Sequence, residues 1–251
     1  MNIESLKINA WDERRNLLIP GDENATLDVC IRHFIGAIRE AIEDHGAFFV
    51  ALSGGSTPKA MFKRLTSPPY SEQIQWDKIW LFWGDERSDP AESNYKMAME
   101  EGFGKVPIPK EQIFPMLAKE NIEESALEYQ KQVQNALKDH PFDLVMLGMG
   151  EDGHTASLFP QTEGLKAQDR LVVANYIPQK NTWRMTLTFE AINSAHSIAI
   201  YVMGAAKKDT LVEVFKSEEN FERYPIQKIG TKDNKALWIV DEAAASELIK
   251  E

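Results

Sequence analysis

The chain has 251 residues, with 28 Lys and Arg against 39 Asp and Glu, a formal charge of −11. At 43% hydrophobic and 27% charged residues it is an ordinary globular composition, which excludes a disordered chain, a collagen and a disulfide scaffold. The acidic balance argues against a nucleic-acid binder and an electrostatic membrane binder, and weighs against an anionic small substrate too.

No apolar h-region opens the chain, and no apolar run approaches the ~20 residues a membrane helix needs. The single cysteine, Cys30, permits no internal disulfide. It falls inside an amphipathic helical pattern and reads as a small core residue. A reducing cytoplasm is the expected compartment.

In chain order, the spacing of Leu27, Ile31, Phe34, Ile38 and Ile42 predicts a helix over 26–44. The unbroken apolar run 48–52 reads as a strand buried on both faces. The turn Ser53-Gly-Gly-Ser-Thr-Pro58 follows it, with Thr57 as N-cap and Pro58 as first helical residue. That next helix carries Met61, Phe62 and Leu65 inward. The pattern of strand, Gly-rich turn and helix recurs in looser form. Ile79–Trp83 leads into Gly84-Asp-Glu-Arg87, and Asp143–Leu147 into Gly148-Met-Gly-Glu-Asp-Gly-His154. His196–Met203 leads into Gly204-Ala-Ala-Lys207 and a helix near 206–216, and Ala236–Val240 into Asp241 and a closing helix. Asn121 with Glu124 resembles a capping box, ahead of a helix face made by Ile122, Ala126, Tyr129, Val133 and Leu137. Residues 182–189 alternate polar and apolar. They read as a strand whose polar set, Arg184, Thr186 and Thr188, is exposed or lines a site.

Alternating buried strands and amphipathic helices, with no linker, indicate one α/β domain over 1–251. The expectation is a Rossmann-like, mostly parallel sheet with helices on both faces. Ligands of such sheets bind beyond the carboxyl ends of the strands, where every Gly-rich segment falls.

Gly54, Gly55, Ser56 and Thr57 form a candidate anion cradle, because glycines admit close approach and helix-start amides point outward. The segment lacks the Gly-Lys-Ser/Thr of a P-loop. The Gly-x-Gly-x-x-Gly match at 148–153 is weakened by His154, which follows at once with no helix start evident. Arg87 either pairs with the carboxylates beside it or forks onto a phosphate or carboxylate. His33, His45 and His140 sit in helices or at their ends, and His196 opens a strand. His154 instead follows a Gly-Asp-Gly turn at a strand end, where an imidazole titrating near neutral pH serves as general base and Asp152 orients it. Lys207, at a helix start, makes sense if it shares an anionic ligand, with Lys208 as the alternative. No metal-binding spacing occurs.

Together these segments resemble the 6-phosphogluconolactonase family. The matching pieces are Leu52-Ser-Gly-Gly-Ser-Thr-Pro58, Trp83-Gly-Asp-Glu-Arg87, Glu92-Ser-Asn-Tyr95, Gly148-Met-Gly-Glu-Asp-Gly-His-Thr-Ala-Ser-Leu-Phe-Pro160, Arg184-Met-Thr-Leu-Thr, Gly204-Ala-Ala-Lys207 and Leu237-Trp-Ile-Val-Asp241. They run in the family order over nearly the whole chain. The block from Asp152 to Pro160 is the specific one. A departure is the short stretch between Arg87 and Ser93. The resemblance implies hydrolysis of 6-phosphogluconolactone to 6-phosphogluconate in the pentose phosphate pathway, with no cofactor. The expected partner is the small sugar-phosphate lactone, bound by a monomer or small homo-oligomer. His154 is then the base and Asp152 its orienter. Arg184, Lys207 and the amides around Gly54–Thr57 hold the phosphate, while Arg87 meets either the phosphate or the lactone carbonyl. Two alternatives are a glucosamine-6-phosphate deaminase and a non-catalytic sugar-phosphate sensor. The deaminases continue their Asp-Gly-His turn with a glutamate, where this chain has Ser157-Leu-Phe-Pro160.

Overall fold

A computed structural model describes residues 7–249. Its main sheet has seven strands in the order β1-β2-β10-β9-β6-β3-β4. These are β1 (Asn9–Ala10), β2 (Arg15–Leu18), β3 (Phe48–Leu52), β4 (Ile79–Trp83), β6 (Leu144–Leu147), β9 (Ser197–Val202) and β10 (Ala236–Val240). All pairings but β1–β2 are parallel. The central strands β3 and β6 are buried at every residue, which is why they read as continuous apolar runs rather than alternating ones.

The helices follow the predicted faces, with shifted starts. Helix α1 (Glu23–His45) begins three residues before the expected 26, because Asp22 caps it by accepting from the Ala25 amide. Its first turn is polar and invisible to apolar periodicity. Leu27, Ile31, Phe34 and Ile38 are buried as expected, and Cys30 lies in the core beside them. Helix α2 (Ser56–Leu65) corrects the reading of Thr57 as cap. The helix starts at Ser56 with Gly55 as N-cap, and Pro58 sits in the first turn, where its missing amide costs nothing. In α4 (Ile122–Leu137), Asn121 accepts from the Glu124 amide at 3.3 Å. The C-terminal part of the chain adds α6 (Lys208–Lys216), entered through a short 3₁₀ turn at Ala205–Lys207, and α7 (Glu242–Ala245).

A second sheet is not anticipated by the sequence pattern. Strands β5 (Asp85–Arg87), β7 (Val172–Ile177) and β8 (Thr182–Leu187) form an antiparallel sheet in the order β5-β8-β7. It grows out of the main sheet at Gly84, whose amide donates to Leu52 O and whose carbonyl accepts from the Leu187 amide, both at 2.8 Å. The alternation in β8 does not divide a buried from an exposed face, because Arg184 to Leu187 are all buried. Arg184 and Thr186 are buried, while Trp183 is 41% exposed.

The parallel order places a topological switch between β3 and β6. From β3 the chain winds outward to β4, and then crosses back to β6 on the other side. The crevice beyond the carboxyl ends of these two strands is where such sheets accept ligands.

Candidate active site

The crevice is occupied by a cleft of about 190 Å³. Four strand ends supply its walls: Ser53, Gly54 and Gly55 after β3, Asp85 and Arg87 after β4, Gly148 to Gly150 and His154 after β6, and Lys207 after β9. The Gly-rich turns that are far apart in sequence are thus brought together by the parallel register.

His154 is held on three sides. Its ring stacks on Phe159, with centroids 3.8 Å apart and an interplanar angle of 15°. It packs against Gly150, where a Cβ would lie 2.0 Å from His154 Nδ1, so only glycine fits. Its Nδ1 lies 2.5 Å from Asp152 Oδ1, which also accepts from the His154 amide at 3.1 Å. Burial works against the charged form of Asp152. The hydrogen bond from His154 and the His154 charge outweigh it and hold this carboxyl below its ordinary pKa. An ionised carboxylate only accepts, so Nδ1 is the donor in this contact, and in the neutral ring Nε2 is the nitrogen with the lone pair. That is the tautomer a general base needs.

Arg87 and Arg184 are register partners across β5 and β8. Two guanidiniums are therefore juxtaposed, and the Nε of each is buried without a hydrogen-bond partner among the described residues. Their shared neighbour is Glu92. Its carbonyl accepts from Arg87 Nη1 at 2.5 Å, and its carboxylate lies 3.6 Å from Arg184 Nη2. Burial, and next the charge of Arg87, lower the pKa of Arg184, with Asp85 and Glu92 opposing the shift. Arg184 stands behind Arg87 and is not itself part of the cleft wall. The short stretch before Ser93 forms a 3₁₀ turn (Pro90–Glu92) capped by Asp89. It returns the chain to α3 (Asn94–Glu101), which begins beside the cleft.

Lys207, not Lys208, lines the cleft. Lys207 Nζ lies 4.0 Å from the exposed Glu151, whereas Lys208 is turned to Glu247 at 3.8 Å. Gly54 and Gly55 line the cleft. Ser56 and Thr57 stand at the start of α2 just outside it, their first-turn amides lacking intrahelical acceptors. Gly54 is obligatory because a Cβ there would sit 1.8 Å from Asn94 Oδ1.

Two site residues were visible only as part of a motif, without a role. Asp85 and Asn94 both line the cleft and both are buried. Glu86 is buried between them, its pKa raised by burial, and accepts from the Arg87, Asn94 and Tyr95 amides and from Ser93 Oγ. It clamps the ends of the 88–93 loop together. The other histidines lie elsewhere. His33 contacts Tyr201 Oη, His45 is paired with Asp143, and His196 is exposed rather than a core residue.

Residues 21–238 match the family model for glucosamine-6-phosphate isomerases and 6-phosphogluconolactonase. A 6-phosphogluconolactonase of Chlamydia pneumoniae is 40% identical over 234 residues, covering 92% of this chain and 89% of that protein. Among solved structures, a 6-phosphogluconolactonase from Trypanosoma cruzi superposes with a TM-score of 0.80 at 26% identity, over 97% of this chain and 99% of the other. One from Thermotoga maritima does so with a TM-score of 0.76 at 27% identity, over 91% and 99%.

Proposed function

The chain belongs to the family of glucosamine-6-phosphate isomerases and 6-phosphogluconolactonases, and we propose that in it His154 is the general base for hydrolysis of 6-phosphoglucono-1,5-lactone to 6-phosphogluconate. The enzyme is a carboxylic ester hydrolase of the oxidative pentose phosphate route. The observation that carries the base assignment is the His154–Asp152 contact inside a cationic cleft. Asp152 fixes the ring with Nε2 free, and Phe159 and Gly150 fix its plane.

In the reaction, Nε2 takes a proton from water as the water oxygen attacks C1. The tetrahedral intermediate collapses with cleavage of the bond from C1 to the ring oxygen. The imidazolium returns its proton to that oxygen, which leaves as a hydroxyl. The new carboxylic acid then loses its own proton to solvent. The charge that develops on the carbonyl oxygen is met by the field of the surrounding cations. Lys207, Arg87 and the amides of Gly54, Gly55, Ser56 and Thr57 hold the phosphate, and Arg184, behind Arg87 and in register with it, adds its charge to that end of the site. Two adjacent guanidiniums, Arg184 buried and Arg87 half-buried, suit a dianion, and a phosphomonoester is one.

The position of Ser157-Leu-Phe-Pro160, without a carboxylate after the Asp-Gly-His turn, supports lactonase over deaminase chemistry. The strand order supports one domain over 1–251, since β2 and β10, from opposite parts of the chain, are neighbours. Among the described residues no helix is long and apolar enough to cross a membrane. A single cysteine in the core agrees with a cytoplasmic setting. The partner is the small lactone phosphate, taken by a monomer or small homo-oligomer.

The test is formation of 6-phosphogluconate from fresh lactone, with spontaneous hydrolysis subtracted. His154→Ala should lower kcat by about 10²–10⁴-fold. Competitive inhibition by inorganic phosphate should be unchanged. Near-normal kcat in that variant removes the base from His154.

A further inference from the structure

The mechanism leaves one buried carboxyl of the cleft without a task. Asp85 opens β5, is 5% exposed and lines the cleft with His154 and Arg87. Among the described residues no cationic nitrogen lies within 4.0 Å of it, and its charge acts on Arg184 from farther off. Its side chain has two hydrogen-bond contacts. Ser157 Oγ donates to Oδ2 at 2.7 Å, and Asn94 Nδ2 reaches Oδ1 at a longer 3.2 Å. A carboxylate offers about four acceptor positions, so two are left over.

The carboxyl is also anchored with care. Ser157 is itself pinned, its amide donating to Thr186 Oγ1 at 3.2 Å and its carbonyl accepting from Asn175 Nδ2 at 2.9 Å. All of these groups are buried. An acceptor preorganised this firmly in a cleft built for an anion must face a part of the ligand that donates. Beside Asp85, Asn94 Oδ1 is a second buried acceptor, with no hydrogen-bond partner among the described residues. The cleft thus has a cationic part, with Arg87 and Lys207, and an acceptor part. A phosphorylated polyol has the matching ends: phosphate oxygens that accept and hydroxyls that donate.

We propose that Asp85 is a specificity-determining residue that accepts a hydrogen bond from a ring hydroxyl of the lactone, so that the site selects the fully hydroxylated sugar over deoxy analogues. The proposal rests on the lactonase reading. Its physical basis is that a ligand lacking the hydroxyl leaves a buried acceptor unpaired, which a site built to bond that group penalises strongly.

The experiment compares kcat/KM for 6-phosphogluconolactone with that for its 2-deoxy, 3-deoxy and 4-deoxy counterparts. The wild-type protein should disfavour at least one of them by about 10–100-fold, the range of a hydrogen bond to a charged acceptor. In Asp85→Ala that ratio should fall to within about threefold of unity, whereas a merely structural loss would lower all four substrates by one common factor. Ser157→Ala keeps the carboxyl but removes its anchor, and should reduce the ratio partially; it serves where Asp85→Ala does not fold. A flat wild-type profile overturns the proposal, as does a ratio retained in Asp85→Ala or, if that variant does not fold, in Ser157→Ala. Failure of the lactonase reading is seen separately and earlier, as a wild-type protein that does not exceed spontaneous hydrolysis of the parent lactone.

Discussion

Asp152 and His154 are two residues apart, and their contact is a property of one turn. For that reason the pair was legible in the sequence. Arg87 and Arg184 are almost a hundred residues apart, and only the β5–β8 register makes them neighbours. The sequence offered each as a separate cation. Their juxtaposition leads to a kinetic prediction. Arg184→Ala and Lys207→Ala should each raise KM with a smaller effect on kcat, since they remove binding to a phosphate that does not react. Initial-rate measurements check this, and an unchanged KM in both variants removes the phosphate role. The choice between Lys207 and Lys208 also needed coordinates, because adjacent residues at a helix entry have the same local signal. Lys208→Ala should leave KM as it is. Cys30 is simpler. Burial pushes its thiol pKa up, and the thiolate is the reactive form. Thiol reagents should therefore label the native protein slowly, and the denatured protein at once.

Periodicity located most elements and misplaced their ends. Apolar spacing reports the buried face of a helix, but a cap is a polar residue outside that face. Asp22 is such a cap, while Gly55 caps α2 without a side chain and so leaves Thr57 as the apparent one; both helices start earlier than their patterns indicate. Asp22→Ala should lower stability by about 1 kcal/mol, measurable by denaturant unfolding. The turn from Gly148 to His154 is the element on which chemistry depends most. Gly150→Ala would put a Cβ into the His154 ring. The expected outcome is a fall in kcat of at least ~10-fold, with inhibition by inorganic phosphate preserved, because the displaced group is the proposed base and not the proposed anion site. Strand β8 shows the opposite failure of local reading. Its two-residue alternation is real, but which face is buried depends on what covers it. Here both faces are covered from Arg184 to Leu187, and only Trp183, near the start of the strand, is left outside.

At the scale of the molecule, the −11 charge first weighed against an anionic substrate. Clustering of Arg87, Arg184, Lys207 and helix-start amides around the carboxyl ends of the strands answers that objection for the proposed function, since a focused local field would govern capture of a single phosphate. Stability has its own pH signature. Burial of His33 against Tyr201 lowers its pKa from the ordinary 6.5 to about 4. Between these values the unfolded chain binds a proton that the native one does not, so this contribution is complete above pH 6.5 and lost toward pH 4. Asp12 and Asp28 have pKa values below the ordinary 3.8; burial opposes this, but their arginine partners and hydrogen bonds prevail. Their contribution is present above that value and disappears below it. Unfolding free energy should therefore decline from pH 7 to pH 4.5 in the wild type, and decline less in His33→Asn. Equal declines in the two proteins would show that His33 is not the group responsible.

The order of strands β3, β4, β6, β9 and β10 and of the helices α1, α2, α4 and α6 was determined by the sequence alone, because burial imposes its period on every residue of an element. So were the Gly-rich turns and the local Asp152–His154 pair, because backbone geometry and short reach act within a few residues. Only the tertiary structure decided that a second sheet branches at Gly84, that Arg87 meets Arg184, that Lys207 rather than Lys208 enters the cleft, and that Asp85 is a buried acceptor beside Asn94. Each of these depends on strand register and on what packs over a face, and hydrophobic pattern carries no information about either until distant segments are paired.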